Sequence, residues 1–103
     1  MKAIFINAKE AEVSYIETTG ELADIKKIIG VKHITAVSLQ FNGDHTYIDD
    51  EGRLNGTDYG FYINGLQVFG NGLMLGSNRG YEEPVQSEIE DFDIRFFTVK
   101  KDF

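Results

Sequence analysis

The stretch "FGNGLMLGSNRG", residues 69–80, decides how the second half of this chain folds. Its four glycines and an Asn-Arg pair surround a short apolar run, as in phosphate-binding loops and in tight β-turns. A dinucleotide-binding loop needs a helix directly after its glycines, whereas Gly72 is followed by Leu-Met-Leu-Gly, which is too short for one. No Gly-Lys-Ser/Thr motif occurs anywhere in the chain. Asn71-Gly72 therefore predicts a two-residue hairpin turn between Val68-Phe69 and Leu73-Leu75, with a phosphate-contacting loop as the alternative.

The pattern from residue 31 onward is that of a β-protein. "VKHITAVSLQFN" is the longest strand candidate, and glycines then separate the shorter runs "TYIDD", "YGFYI", "LQVFG" and "LMLG". Short strands interrupted by glycine at this frequency are typical of a strongly curved sheet. "DIRFFTVK" predicts a closing strand after a short helical turn that begins at Ser87.

One helix is predicted over residues 19–29, after two short strands in residues 1–17. Thr18 is expected to cap it in a capping box with Glu21, and Gly30 is expected to end it. Apolar residues at helical spacing, Leu22, Ile25 and Ile29, should face the sheet. The sequence predicts a single α+β domain over residues 1–103: a curved, mostly antiparallel sheet or small, partly open barrel with this helix packed on it.

Composition excludes several classes of function. The 103 residues include no cysteine, which removes disulfide scaffolds, thiolate zinc sites and cysteine nucleophiles. No run of 18 apolar residues is present, and the start "MKAIFINAKE" lacks a secretory signal, so we expect a cytoplasmic protein without a membrane span. The net charge of −7 argues against non-specific binding to nucleic acid, which depends on neutralising phosphates.

Catalytic and metal-binding patterns are weak. "YIDDEGRLNGTD" matches a calcium loop at several positions, but its first ligand position falls on Tyr47, so an exposed hairpin turn at Asp50-Glu51-Gly52 is the better interpretation. The two histidines, His33 and His45, show no metal-ligand spacing, and no serine lies in a nucleophile elbow. We expect no enzyme and no cofactor. A hydrolase would require a metal site built from these histidines and the acidic turn.

Residues 24–76 carry a resemblance to a known group of proteins. The segments "DIKKIIGVKHITAVSL", "YIDDEGRLNG" and "FGNGLMLG" resemble a small uncharacterised domain family of bacteriophages and other mobile elements. Its members run from a short helix through a strand to an "EGKL-G" turn, matched here by residues 51–56, and then to a glycine-bearing hairpin. Members often continue with a Pro and an Asn-Arg pair, where this chain has "TDYGFYING". The resemblance implies an accessory protein made inside a bacterium that carries such an element.

The leading functional hypothesis is a non-enzymatic protein that binds and modulates a host factor through its surface. The segment from Glu82 to Asp93 contains no Lys or Arg, and such a charge run fits a basic partner, or is a solvated surface only. The candidate partner-binding residues are Tyr81, Glu82, Glu83, Glu88, Glu90 and Asp91.

The alternative hypothesis is a sponge for a nucleotide or small-molecule signal, acting as an oligomer. Such a site needs cationic and amide side chains to converge where glycines let the backbone approach the ligand. The candidate ligand-binding residues are Arg53, Asn71, Asn78 and Arg79. Whether the protein forms homo-oligomers, and which strand lies at the sheet edge, are left open by the sequence.

Overall fold

The computed structural model describes residues 1–38 and 43–99, and it contains one short helix and nine strands in this part of the chain. Within these residues no helix has the length and apolar character needed to cross a membrane. The elements are β1 Lys2–Asn7, β2 Glu12–Glu17, α1 Leu22–Ile29, β3 Ile34–Ser38, β4 His45–Asp49, β5 Tyr59–Ile63, β6 Leu66–Phe69, β7 Gly72–Asn78, β8 Tyr81–Glu83, a 3₁₀ turn Ile89–Asp91 and β9 Ile94–Thr98.

The strands form two antiparallel sheets. The larger sheet has the order β2-β1-β7-β4-β3, with β8 also paired to β7, and the smaller sheet has the order β6-β5-β9. The predicted α+β class is confirmed. The partly open barrel is wrong, because the chain divides its strands between two separate sheets that do not close on each other.

The larger sheet is the middle layer of three. One face, with Leu73 and Leu75 of β7, packs against Ile25 and Ile29 of α1. The opposite face, which includes Met74, packs against side chains of the smaller sheet in a second cluster; the buried members of that cluster are Ile4, Ile6, Ala8, Phe61, Ile63, Val68, Met74, Val85 and Phe92. Alternation along a strand sends neighbouring side chains to opposite faces, so β7 contributes to both cores and is buried throughout its first five residues.

The helix is confirmed but is shorter than predicted. Residues 19–21 precede it, and its expected core residue Leu22 is 56% exposed. The predicted capping box is wrong, because the N-cap position is Glu21 and makes no side-chain cap hydrogen bond. The Thr18 hydroxyl (2.6 Å) and the Thr19 amide (3.1 Å) both donate to the carboxylate of Asp24. Gly30 ends the helix in the left-handed conformation, as predicted.

The hairpin predicted at Asn71-Gly72 is wrong. β6 belongs to the smaller sheet and β7 to the larger one, so residues 70–71 form a crossover between sheets. The Asn71 side chain oxygen holds this crossover by accepting the amide of Ala8 at 2.8 Å. Gly72 lies in extended β7, where an added Cβ would lie 2.8 Å from the ring of Phe61. Its lack of a side chain serves packing, not a turn.

The turn predicted at Asp50-Glu51-Gly52 is also not a hairpin, because β4 and β5 belong to different sheets. The connection, residues 50–58, is called the acidic loop below. Asp49 shapes its start, accepting hydrogen bonds from the Glu51 amide (2.9 Å) and the Asn55 side chain (3.2 Å). The end of the predicted strand "VKHITAVSLQFN", including Leu39 and Phe41, lies outside the described residues.

Candidate functional site

The outer face of the smaller sheet carries a row of aromatic side chains. Pairing places Gly60 between Phe69 and Phe97, and Tyr62 between Gln67 and Arg95. Phe61 and Ile63 point to the core on the opposite side, so these paired residues share the outer face. We call the side chains of Tyr62, Phe97 and Phe69 the aromatic face.

The rings of the aromatic face touch one another. The Phe97 ring lies 5.1 Å from Tyr62 and 5.3 Å from Phe69, the latter in an edge-on arrangement. Gly60 makes room for this row, since an added Cβ would lie 2.6 Å from the tip of the Phe97 ring. Aromatic pairs at such distances stabilise one another, so the face is a pre-arranged surface with Tyr62 37% exposed.

A cleft of about 410 Å³ adjoins the aromatic face, between β6 and the acidic loop. The cleft is lined by both apolar and charged side chains, and the Arg53 guanidinium lies over the Phe69 ring at 5.2 Å. Leu54 at the loop tip is 87% exposed. The lining residues are Ile48, Asp49, Asp50, Glu51, Gly52, Arg53, Leu54, Gln67, Val68 and Phe69. Three carboxylates against one guanidinium favour cationic over anionic partners here.

The histidines do not form a metal site with the acidic turn. His33 lines a second cleft of about 380 Å³ on the other side of the acidic loop, together with Asp49 and Glu51. His45 points elsewhere, and its Nε2 lies 3.0 Å from the Glu82 carboxylate. In the described part of the chain no three His, Cys, Asp or Glu side chains are grouped so that they could hold a metal ion.

Glu82 turns inward instead of facing solvent. Besides His45, its carboxylate accepts a hydrogen bond from the Tyr47 hydroxyl, so one half-buried acid joins two side chains of β4. Burial, followed by the hydrogen bond and the charge of Glu82, raises the pKa of Tyr47 well above its ordinary value. The predicted partner-binding residue Glu82 therefore has an internal role.

Most of the acidic segment, which runs from Glu82 to Asp93, follows β8 as a connection from the larger sheet to the smaller one. We call this connection, residues 84–93, the strap. Asp44 anchors it: its carboxylate, only 2% exposed, accepts the amides of Gln86 (3.0 Å) and Ser87 (2.7 Å). The strap passes against Gly76, where an added Cβ would lie 2.5 Å from the Pro84 carbonyl oxygen. The backbone of this segment is thus bound to the sheet.

Several carboxylates of the strap region also have local partners. The Tyr15 hydroxyl donates to Glu88 (2.7 Å), which raises the pKa of Tyr15, and Asp91 accepts the Glu88 amide (2.8 Å). Tyr81 is 78% exposed and Glu90 is exposed, while Glu83 is half-buried. The structure therefore does not bring the six predicted partner-binding residues into one free acidic surface.

The four candidate ligand-binding residues are separated. Arg53 lies at the cleft and Asn71 binds the β1–β2 turn, both near the start of β7. Asn78 and Arg79 lie at the other end of β7, where Arg79-Gly80 forms a tight turn to β8 with positive φ at both residues. Six residues of extended strand correspond to about 20 Å. No common pocket joins these four side chains.

The aromatic face was missed by sequence reasoning, although alternation in "YGFYI" and "IRFFT" could have indicated two-sided strands. The alternation does not predict which of the two faces is covered, because that depends on how the second sheet packs. Comparisons of the chain with protein-family models, with curated proteins and with solved structures find no match.

Proposed function

We propose that this protein is a non-enzymatic binding domain that engages a protein partner through the aromatic face. The observation that carries the proposal is the contiguous row of Tyr62, Phe97 and Phe69 on the outer side of the smaller sheet. Trp, Tyr and Arg are enriched among the residues that contribute most of the binding energy in protein interfaces. Tyr and Trp bury a large area with only two rotatable side-chain bonds.

The surroundings of the aromatic face resemble the usual anatomy of an interface. Arg53 stacks on the ring of Phe69 at one end, Gln67 and Arg95 flank Tyr62, and Leu54 projects beside the cleft. Polar groups around an apolar centre exclude water from the centre and set orientation. The face thus offers both an anchor and a rim.

The partner that we propose is a host protein with basic groups next to an apolar contact. The exposed Asp50 and Glu51 lie at the cleft beside the face, and the whole chain carries −7. Negative charge at a rim speeds encounter with a positive partner and loses effect as salt rises. The resemblance of residues 24–76 to a family of mobile elements implies an origin in such an element and favours a partner in the bacterial cytoplasm.

The nucleotide sponge receives less support from the geometry. A phosphate at the cleft would meet Asp49, Asp50 and Glu51, with Arg53 as its one cation among the lining residues. Like charges at close range oppose such binding. Arg79 and Arg53 lie apart within one chain, so a single copy does not offer the converging cations that favour phosphate binding.

The experiment compares Tyr62→Ala with Tyr81→Ala, two tyrosines that both reach solvent. Partners captured from bacterial lysate by the wild-type protein are purified, and their affinities for both variants are measured by calorimetry. If the aromatic face is the interface, Tyr62→Ala should weaken binding about 30-fold or more, because truncating a central aromatic anchor costs at least about 2 kcal/mol, and Tyr81→Ala less than about threefold. Both variants must first give wild-type circular dichroism.

The reverse result would assign the interface to the hairpin beside the strap, as the sequence suggested, and would refute the aromatic face. A second measurement addresses charge. Asp50→Asn with Glu51→Gln should slow association several-fold and flatten its salt dependence, because both carboxylates flank the site. Glu17 pairs with Lys2, at the end of β1 remote from Gly72, and the exposed Glu21 follows at the start of α1. Glu17→Gln with Glu21→Gln therefore makes the same change in charge away from the cleft and should leave the association rate unchanged.

A further inference from the structure

The strands at the edges of the two sheets differ in how well they resist pairing with another chain. β2 carries Glu12 and Glu17, and β9 carries Arg95. β6 has only four residues, and the acidic loop lies against its end, where an added Cβ on Gly52 would be 2.6 Å from the Phe69 carbonyl oxygen. Charge, shortness and cover are the usual protections of an edge strand.

β3 has none of these protections along Ile34–Ser38. Its sequence ITAVS contains no charged residue, no proline and no glycine, and its only strand partner among residues 1–38 and 43–99 is β4. Two of its five residues are β-branched valine or isoleucine and a third is threonine, which favour strand pairing. An uncharged, regular edge of this kind is a template for a further strand.

The side chains of β3 suit pairing with a second copy of the same strand. In an antiparallel pair centred on Ala36, Ile34 lies opposite Ser38 and Thr35 lies opposite Val37, by simple reversal of the sequence. Each β-branched residue then meets a small or β-branched one, and no like charges oppose each other. The contact is isologous, so it closes as a two-fold dimer and does not extend further.

We propose that two copies of this protein form a dimer by antiparallel pairing of β3, which joins their larger sheets into one continuous sheet. The occupant is a second copy and not a foreign strand, because the edge carries no charge by which a foreign strand could be selected and its reversed sequence complements itself. This edge belongs to the larger sheet, whereas the aromatic face belongs to the smaller one, so the dimer does not depend on the proposed binding function.

The first test is sedimentation equilibrium of the wild-type protein, Ala36→Glu and Ser14→Glu. Ala36→Glu places two carboxylates opposite each other at the two-fold axis and should raise the dimer dissociation constant at least about fivefold. Ser14→Glu adds the same charge to exposed β2 and should leave it unchanged. Because each copy carries −7, raising salt should tighten the dimer, opposite to the effect on a basic partner.

The second test uses the absence of native cysteine. Cα atoms of directly opposed antiparallel residues lie about 4.5–5.5 Å apart, within the range that a disulfide bridges. Oxidised Ala36→Cys should therefore form covalent dimers readily, whereas Ser14→Cys should not. A wild-type protein that remains monomeric, equal cross-linking of both cysteine variants, or a dimer that tolerates Ala36→Glu would each overturn the proposal.

Discussion

Asp44→Ala is expected to destabilise the protein more than other carboxylate removals, because it releases the strap that links the two sheets. The Asp44 carboxylate is almost fully buried and accepts the backbone amides of Gln86 and Ser87 at 2.7–3.2 Å. Alanine leaves both donors without this acceptor. A buried donor that loses its acceptor costs free energy, since water cannot replace it.

The magnitude follows from the surroundings of each donor. A hydrogen bond to a charged group contributes about 1.5–3 kcal/mol. Ser87 is buried, so losing the hydrogen bond from its amide to Asp44 should cost nearly this full amount. Gln86 is exposed, so its amide regains some hydration and the loss of its hydrogen bond costs less. Together these give a loss of about 2–4 kcal/mol in the free energy of unfolding, a large part of the roughly 5–15 kcal/mol typical of a domain.

The assay is urea unfolding followed by far-ultraviolet circular dichroism. With a slope of about 2 kcal/mol/M for a chain of this size, the midpoint should fall by about 1–2 M. Asp58→Ala is the matched control, because Asp58 is exposed and its removal makes the same change in net charge. Its effect should stay within about 0.5 kcal/mol, as for most surface substitutions.

Equal midpoints for Asp44→Ala and Asp58→Ala would refute the reasoning, since they would mean that the strap is held without the buried carboxylate. A double variant gives a further check. Gly76→Ala forces the Pro84 carbonyl away from β7 and thus disturbs the same strap. The loss of unfolding free energy in the double variant should be clearly smaller than the sum of the two single losses, because both substitutions disturb the same strap.

Three further predictions follow from the packing and the titrating groups. Gly72→Ala should cost about 1–3 kcal/mol in thermal or urea unfolding by overpacking against the Phe61 ring, and should cost less when it is made in a Phe61→Leu background; an equal cost in both backgrounds would mean that Phe61 is not the obstacle. Ile25→Ala should cost about 2–5 kcal/mol, whereas Leu22→Ala, half exposed, should cost less than about 1 kcal/mol; equal losses would contradict the burial pattern of α1. The pKa of Tyr47 in the folded protein is raised above its unfolded value of about 10, so the free energy of unfolding should be retained below pH ~10 and fall as the pH rises beyond it. An ultraviolet titration should find that this phenol ionises at a higher pH in the folded protein than in urea. Ionisation at the same pH in both conditions would refute the shift.

The helix shows how far local sequence can be trusted. Its apolar spacing and Gly30 predicted where it lies and ends, because these signals act through neighbouring residues. Its start differs from the prediction, because the N-cap position is Glu21 and makes no side-chain cap hydrogen bond, while Asp24 binds Thr18 and Thr19 ahead of the helix. Leu22 fits the helical apolar pattern yet is exposed, whereas Ile25 and Ile29 of the same pattern are buried.

The two Asn-Gly pairs on either side of β6 show where local signals fail. Asn64-Gly65 forms the tight hairpin between β5 and β6, with positive φ at both residues. Asn71-Gly72 carries the same signal, but the strand after it pairs in the other sheet, so the turn does not form. Which pair forms a hairpin is decided by strand pairing over long sequence distances, which no short window of sequence contains.

The sequence by itself determined the α+β class, the place of the helix, most strands and the absence of thiol chemistry, because periodicity, end signals and composition are local properties. Only the tertiary structure decided that the strands divide into two sheets, that the acidic segment is bound to Asp44, and that Tyr62, Phe97 and Phe69 gather on one outer face. The physical reason is that burial and pairing depend on partners distant in the chain: the same carboxylate or aromatic ring is free or engaged according to which layer covers it.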